Sequence, residues 1–416
     1  MRQRKNERGV VIMLVAVFML FVVGAMAALS IDVATIYTAR SEAQLAADGA
    51  ALAGARALVT SGMTSDTTGG LTPGAEIIAA AIATQVAQQN SVGGRLLKAT
   101  EVVVSFGGNP PTNPTVIVKV QRTDLPTFFA RIWGSTQVTV GASATAEAYN
   151  PSGANALVGT TTPVAPVCVK PWLLPNLDPS PAGTTIFNAA TGAITNTGLL
   201  GWTSGTPMSF ACGPGGICTP PFPGPTAWNY YPGEDNPLYF PHPTHALPTC
   251  VPVLTSSYQE SIAGCIEKPI ACNSQVNIDT SPYGPTRNSD TADAVNCLTH
   301  ATAGNGDKVA VPAPPAAPFQ FVAGADTPIP GASTKDVMVS SSLVTVPVFD
   351  STTLINPVQI VGFVQLFLNP DGTAAPAVGG VNTTVINMAG CGTGASGTPI
   401  LGNGASPVAV RLISPP

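Results

Sequence analysis

The chain has 416 residues, of which only 9% are charged, and its net charge at pH 7 is -5. Beyond residue 150, six Lys or Arg stand against thirteen Asp or Glu, and a net charge of about -7 there excludes nucleic acid as a partner. Gly 42 and Pro 41 exceed their ordinary joint usage of about 12%, which favours turns and short strands around a core.

An uncharged apolar run from Val10 to Leu29 follows a basic amino-terminal tail, residues 1–9. As a helix, these residues would span about 30 Å, the thickness of bilayer hydrocarbon. Four basic residues precede the run: Arg2, Arg4, Lys5 and Arg8. The positive-inside rule therefore predicts a single-pass membrane protein with a cytoplasmic tail and with the bulk of the chain periplasmic or extracellular. The alternative is a cleaved signal peptide, because Ala25-Met26-Ala27 fits a cleavage pattern.

Helix-forming residues continue without a break beyond the apolar run as far as Leu58. The sequence therefore predicts one helix that leaves the membrane as an alanine-rich stem. Four-residue spacing places Ala47, Ala50, Ala51 and Gly54 on a face that a second helix can approach closely. We expect this face to be covered either by the chain's own next helix or by an equivalent helix of a partner subunit, whereas plain helix propensity is the alternative explanation of the alanines.

The stem leads into a small module of mixed structure. A second helix is predicted at about 74–89, with Thr72 as its cap and Pro73 at its first position. Three segments rich in β-branched residues follow, at 101–106, 114–120 and 136–149. Residues 30–150 are therefore predicted to form a helical stalk with an α+β module.

The rest of the chain is predicted to be loop-rich and mostly β. Residues 151–305 are rich in Pro, Gly and Cys, whereas strand signals return in residues 306–416, at 336–350, 357–372, 382–388 and 406–413. Asn369-Pro370-Asp371-Gly372 is predicted to be a turn. The predicted fold class is therefore α+β, with a transmembrane helix, a helical stalk carrying a small α+β module, and a disulfide-containing distal domain.

All eight cysteines lie in the part predicted to be exported, which indicates disulfides formed in an oxidising compartment. The cysteines are Cys168, Cys212, Cys218, Cys250, Cys265, Cys272, Cys297 and Cys391. Their spacing leaves the connectivity open. Cys212 with Cys218 is the favoured local pair, because the intervening Gly-Pro-Gly-Gly-Ile can turn sharply.

The opening of the chain resembles the amino-terminal segment of TadG-like proteins of the Flp/Tad (tight adherence) pilus assembly machinery. The resemblance covers about residues 8–148 and rests on Arg8-Gly9, Asp32, Tyr37, Gln44, Ala46-Ala47-Asp48, Ala50-Ala51-Leu52-Ala53 and the string at 125–148. It implies a membrane-anchored envelope protein without enzyme activity or cofactor. Its implied partners are pilus or pseudopilin subunits and assembly proteins. Asp32 is then either an acid that marks the end of the lipid or part of the docking site for a partner helix.

The sequence departs from two patterns found in related proteins, a metal-binding site and a cleavage site. Many TadG-like proteins carry a von Willebrand A domain, whose metal site needs the pattern D-x-S-x-S to supply oxygen ligands. The nearest strings here, 350–354 and 178–182, lack the final hydroxyl. In addition, the fifth residue after Gly9 is Leu14 rather than Glu, so prepilin-type cleavage is not supported.

Sharper chemical sites find little support in the sequence. His242 and His245 flank a proline that prevents helical metal-ligand geometry, and an oxidised Cys250 cannot bind a metal. The glycine-rich segment 390–397 lacks the ending of a phosphate loop and is predicted to be a turn. No Ser, His and acid set is marked out, so a hydrolase is disfavoured.

One aromatic group leaves a second function open. It comprises Trp228, Tyr230, Tyr231, Tyr239 and Phe240, interleaved with prolines. We expect these rings to form a small core beneath the disulfide-rich loops. Alternatively they bind a glycan or a surface protein, and the chain is then an anchored adhesin that acts through residues 151–416.

Overall fold

The structure is a computed structural model that describes most of the chain. The residues described are 7–111, 113–154, 162–177, 184–203, 207–211, 229–233, 250, 253–264, 268–279, 286–300, 305–309, 317–325, 327, 330–331, 333–334, 340–352, 356–370, 380–402 and 406–413. The helices are α1 (Glu7–Thr60), α2 (Thr72–Gln88), α3 (Pro151–Ala154), α4 (Ser257–Ala263) and α5 (Thr286–Leu298).

The strands, in chain order, are mostly short. They are β1 (Ser91–Val92), β2 (Arg95–Leu96), β3 (Val102–Asn109), β4 (Asn113–Pro126), β5 (Gln137–Tyr149), β6 (Val164–Ala165), β7 (Trp172–Pro175), β8 (Ser209–Phe210), β9 (Asn229–Pro232), β10 (Gln275–Val276), β11 (Lys308–Val309), β12 (Phe321–Val322), β13 (Leu343–Phe349), β14 (Val358–Leu368), β15 (Thr383–Gly390), β16 (Ile400–Leu401) and β17 (Ala409–Ile413).

Helix α1 is a single helix of 54 residues, as the sequence predicts. Its apolar side chains between Val10 and Leu29 are exposed, whereas from Ala39 onward one face is buried. Among the described residues, α1 is the helix that is long and apolar enough to cross a bilayer. The same helix therefore supplies both a bare anchor and a wall of the protein core.

Helix α2 folds back along α1 and buries one alanine in every turn: Ala75, Ala79, Ala83 and Ala87. The prediction that Thr72 caps this helix is wrong. Thr72 is already helical, and the preceding Leu71 donates its N–H to Asp66 Oδ2 at 2.8 Å. Asp66 supplies this acceptor because the tight turn between the helices brings its carboxylate to the N–H group of Leu71.

A four-stranded antiparallel sheet in the order β17-β5-β4-β3 covers the other side of α1. Its inward side chains alternate with exposed ones, and Val116, Val118 and Val120 of β4 are buried. The three predicted strands of the module are β3, β4 and β5. The last strand, β17, also lies in this sheet, with Ala409 opposite Tyr149. The division of the chain at residues 150 and 305 stays a prediction.

The distal part is built on a second sheet, in the order β10-β14-β13-β7-β9-β8, with β15 beside β14. Every residue of β13 and β15 is buried, which is the pattern of strands covered on both faces. Three of the predicted distal strands correspond to β13, β14 and β15. The predicted turn at 369–372 lies partly outside the described residues.

Two disulfides fasten loops of the distal part to its regular elements. Cys250 is bonded to Cys297 in α5, and Cys272 is bonded to Cys391 at the end of β15; the Cα–Cα distance is 5.3 Å in both. Cys168 is also disulfide-bonded. The favoured pair Cys212–Cys218 and the remaining candidate, Cys265, lie outside the described residues. The second bond joins cysteines that are 119 positions apart. Because it restricts the unfolded chain, it raises the free energy of unfolding by roughly 4 kcal/mol or more.

Lys170, beside β7, is buried in the distal part. Its ammonium Nζ donates to the carbonyl oxygen of Gly264 at 2.7 Å, and 5% of the residue is exposed. Burial lowers the pKa of Lys170 to about 7, whereas the pKa of an unfolded lysine is about 10.4. At pH values between these two pKa values, the folded state therefore binds fewer protons than the unfolded state. Stability that depends on neutral Lys170 is complete above about pH 10 and is lost as pH falls through 7.

We expect Lys170→Met to stabilise the full-length protein more at about pH 6 than at about pH 9, by a difference on the order of 2 kcal/mol. The reason is that the substitution removes a charge that the fold must bury at low pH. Chemical denaturation in detergent at both pH values measures the effect. Lys308→Met, on the exposed surface of β11, is the control. Equal pH dependence in Lys170→Met and the unaltered protein would contradict the prediction.

Candidate assembly surface and membrane-proximal clamp

The predicted close-contact face of the stem is buried within the protein itself. Ala47, Ala50 and Ala51 have no exposed surface. At Gly54, an added Cβ would lie 2.9 Å from Val116 Cγ1 and 3.3 Å from Ala83 Cβ. The chain's own α2 and β4 therefore cover this face, and only small side chains fit between them.

Asp32 clamps the loop between β4 and β5 to the stem. Its carboxylate accepts backbone N–H groups from Phe128 at 2.8 Å, Phe129 at 3.0 Å and Ala130 at 2.6 Å. These N–H groups open a one-turn helix, Ala130–Trp133, and would otherwise lack partners. Asp32 is 3% exposed. The acid beyond the membrane segment thus has a structural partner nearly a hundred residues away.

The charge of Asp32 is matched to this role. Desolvation alone would raise its pKa, but the three backbone N–H groups and the nearby Arg131 outweigh it and hold the pKa of Asp32 below its usual value. Hydrogen bonds to the ionised form act in this direction. Asp32 lies beyond Leu29, where the uncharged run ends, so its charge lies just outside the apolar segment of the anchor.

The far end of α1 is fixed by a buried asparagine of β15. Asn387 Nδ2 donates to the Val59 carbonyl at 2.5 Å and to Gln365 Oε1 at 2.8 Å. Its Oδ1 accepts from Thr64 Oγ1 at 3.0 Å and Ser65 Oγ at 3.1 Å. The amide thereby uses both donors and both acceptor positions, and it joins the stem to the distal sheet.

Between residues 29 and 45, α1 also exposes large apolar side chains. Leu29, Val33, Tyr37 and Leu45 are 54%, 41%, 70% and 67% exposed and follow one another at multiples of four residues. Asp48 is half-buried: it accepts from Gln44 Nε2 at 2.8 Å, and the same nitrogen donates to the Ser143 carbonyl at 3.2 Å. The predicted site residues thus divide into buried packing residues, the Asp32 clamp, the half-buried Asp48 and the exposed Tyr37.

Sequence reasoning missed Asn387 and the loop that Asp32 holds. The string Phe128-Phe129-Ala130-Arg131-Ile132 carried a signal, because large apolar residues stand in a gap between two strands where polar residues are usual. Asn387 carried no local signal, because a single polar residue within a strand is common in protein sequences.

In the distal part, the described members of the aromatic group belong to the core. Tyr230 and Tyr231 are buried, and the Tyr230 ring centroid lies 5.9 Å from that of Trp172. The other three members and both His242 and His245 lie outside the described residues. Cys250 is committed to its disulfide with Cys297 and does not offer a thiolate.

Comparison with known proteins finds a family match within the first helix. Residues 9–57 match the family model Tad, described as "Putative Flp pilus-assembly TadE/G-like". The match ends three residues before α1 does, and it supports a pilus-related envelope role. The comparisons with curated proteins and with solved structures returned no match.

We expect Ala47→Leu with Ala51→Leu to destabilise the module by about 1–3 kcal/mol at each site, because neither side chain has space to grow. Membrane insertion should be unchanged, since the apolar run is untouched. Protease resistance of the membrane-inserted protein measures the first effect and membrane fractionation the second. Ala34→Leu, at an exposed alanine of the same helix, should be neutral. Unchanged resistance in the double variant would show that the face is only a spacer.

We expect Asp32→Ala to release the loop, because three N–H groups lose their shared acceptor. Hydrogen exchange of the peptide that covers Phe128 to Ala130 should accelerate several-fold in the full-length protein in detergent. Asp48→Ala removes an acid from the same helix without touching the loop and should leave that peptide unchanged. Equal exchange in both variants would refute the clamp.

Proposed function

We propose that the protein is a non-enzymatic, single-pass envelope protein with a structural role in assembling Flp/Tad-type pili. The observation that carries the proposal is the coincidence of the family match with a single helix. Residues 9–57 match the pilus-assembly model, and α1, Glu7–Thr60, contains both the bare anchor and the packed stem. The unit that resembles its relatives is thus the unit that joins membrane and module.

The orientation that we propose places the amino-terminal tail in the cytoplasm and the module and distal part outside. The basic residues before Val10 support this orientation, as do the disulfides beyond residue 167. A protein held in this way presents its stem directly above the outer surface of the membrane, where pilus subunits leave the bilayer.

The contact surface that we propose for those subunits is the exposed stripe of Leu29, Val33, Tyr37 and Leu45. Residues at four-residue spacing form the ridges that pack into the grooves of a neighbouring helix. All four lie within the matched residues and are exposed, whereas the buried face of α1 from Ala39 onward is already filled by α2 and the sheet. A helix of a pilin or pseudopilin is the partner that fits this stripe.

The use of the buried polar groups supports a structural rather than a catalytic role. Asp32 and Asn387 hold backbone groups in place, and Asn150 does the same through bonds to the carbonyls of Thr64 and Met388, both 2.8 Å. Groups bonded in this way stabilise the fold and are not poised for proton transfer.

We expect Tyr37→Ser with Leu45→Ser to reduce piliation of the producing cell strongly, because the substitutions remove the two most exposed apolar side chains of the stripe. Protein level and protease resistance should not change, since both side chains are outside the core. Pilus counts by electron microscopy and immunoblots measure the two effects. Ile77→Ser is the matched control, because Ile77 is 71% exposed but lies on α2, outside the family match. Normal piliation in the double variant would contradict the proposed surface.

A further inference from the structure

The loop that Asp32 holds, residues 127–136, lies against the membrane-spanning part of α1. Phe129 and Ile132 of this loop line a cleft of about 410 Å³ together with Leu20, Phe21, Gly24, Ala25 and Ala28. Leu20 precedes Leu29 by nine residues, about 13 Å along a helix. The tip of the loop therefore reaches to a depth that the anchor itself marks as hydrocarbon.

Two large apolar side chains lie on the outer surface of the loop, which also exposes Arg131, Ser135 and Thr136. Phe128 is 59% exposed and Ile132 is 72% exposed, next to anchor residues such as Phe21 at 75%. Exposed apolar side chains of this size are costly in water when they form a continuous surface. Here the surface of the loop continues directly into the surface that the anchor presents to lipid.

The backbone of the loop is prepared for a medium without water. Asp32 accepts the N–H groups of Phe128, Phe129 and Ala130. The other bonded N–H groups donate to carbonyls of the loop itself: Thr127 to Thr136, Ile132 to Phe129, Gly134 to Arg131 and Ser135 to Ala130. An irregular segment can enter a membrane only where its polar backbone groups already have partners, and the seven N–H groups named here meet this requirement.

We infer that residues 127–136 enter the outer half of the bilayer that α1 spans, so that phospholipid acyl chains cover Phe128 and Ile132 and fill the cleft. Arg131, exposed between them, donates its Nε to the Thr127 carbonyl at 3.2 Å and directs the rest of its guanidinium toward the phosphate groups. The loop is then a second attachment to the membrane. It fixes the height and the rotation of the module, which one helix by itself leaves free.

The test uses the full-length protein, alone and dilute, in vesicles of phosphatidylcholine and phosphatidylglycerol. An environment-sensitive fluorophore is attached to Ile132→Cys without reduction, so that the native disulfides stay closed. Ile77→Cys is the matched control, because Ile77 is 71% exposed and Ile132 is 72% exposed. Ile77 lies on α2, which begins beyond the end of the stem that is far from the membrane. The protein without an introduced cysteine reports background labelling.

The label at position 132 should emit at shorter wavelength than the label at position 77. Acyl chains that carry a nitroxide quencher should remove most of its emission and leave that of position 77. Asp32→Ala in the Ile132→Cys protein should weaken the quenching, because the loop is released. Quenching at neither position, or equally at both, would overturn the inference. So would quenching at 132 only at high protein density, which would make the helix of another copy the occupant. The inference rests on the membrane anchor of the proposed function, but because no pilus subunit is present the result is independent of the proposed role in pilus assembly.

Discussion

The whole structure depends on one helix serving two environments without a break. Between Val10 and Leu29, α1 presents large apolar side chains to lipid, whereas from Ala39 it packs against protein. Packing on two sides, by α2 and by the sheet, favours small side chains, and every fully buried apolar residue of α1 between Ala39 and Ala57 is an alanine. Because alanine buries little apolar area, stability comes from many close contacts. The four buried alanines of α2 pack against the alanines of α1. The membrane anchor cannot change its direction without moving this core.

Polar bonds fix the helix where it enters and where it leaves the core. Near the membrane, Asp32 binds the loop after β4, and at the other end Asn387 binds the last turn of α1 to the distal sheet. Both side chains replace water for backbone groups that helix ends and loops leave unpaired. The stem is therefore not a flexible tether. Anchor, module and distal sheet are joined through buried hydrogen bonds rather than through a linker.

The local chemistry of the sequence was enough to predict the long helix, its alanine face and the strands of the module, because helix propensity and β-branched patterns act over a few residues. Partners distant in the chain could not be predicted. The acceptor role of Asp32 depends on a loop some hundred residues later, Asn387 bonds to residues more than three hundred positions earlier, and the pairing of Cys272 with Cys391 has no local signature. The predicted cap at Thr72 failed for the same reason, since Asp66 reaches the helix only through the shape of the turn.

The pairing of β17 with β5 places the distal part in an unexpected topological position. Because Ala409 lies opposite Tyr149, residues 150–408 leave the proximal sheet and return to it at the same point. They are equivalent to a very long insertion between two neighbouring strands of a hairpin. Insertions of this kind can grow, shrink or be replaced while the host sheet keeps its geometry. During synthesis, β5 remains an unpaired edge until the entire insertion has been made and its ends have come together. The sheet beside the membrane can therefore be completed only after the two ends of the distal part have come together.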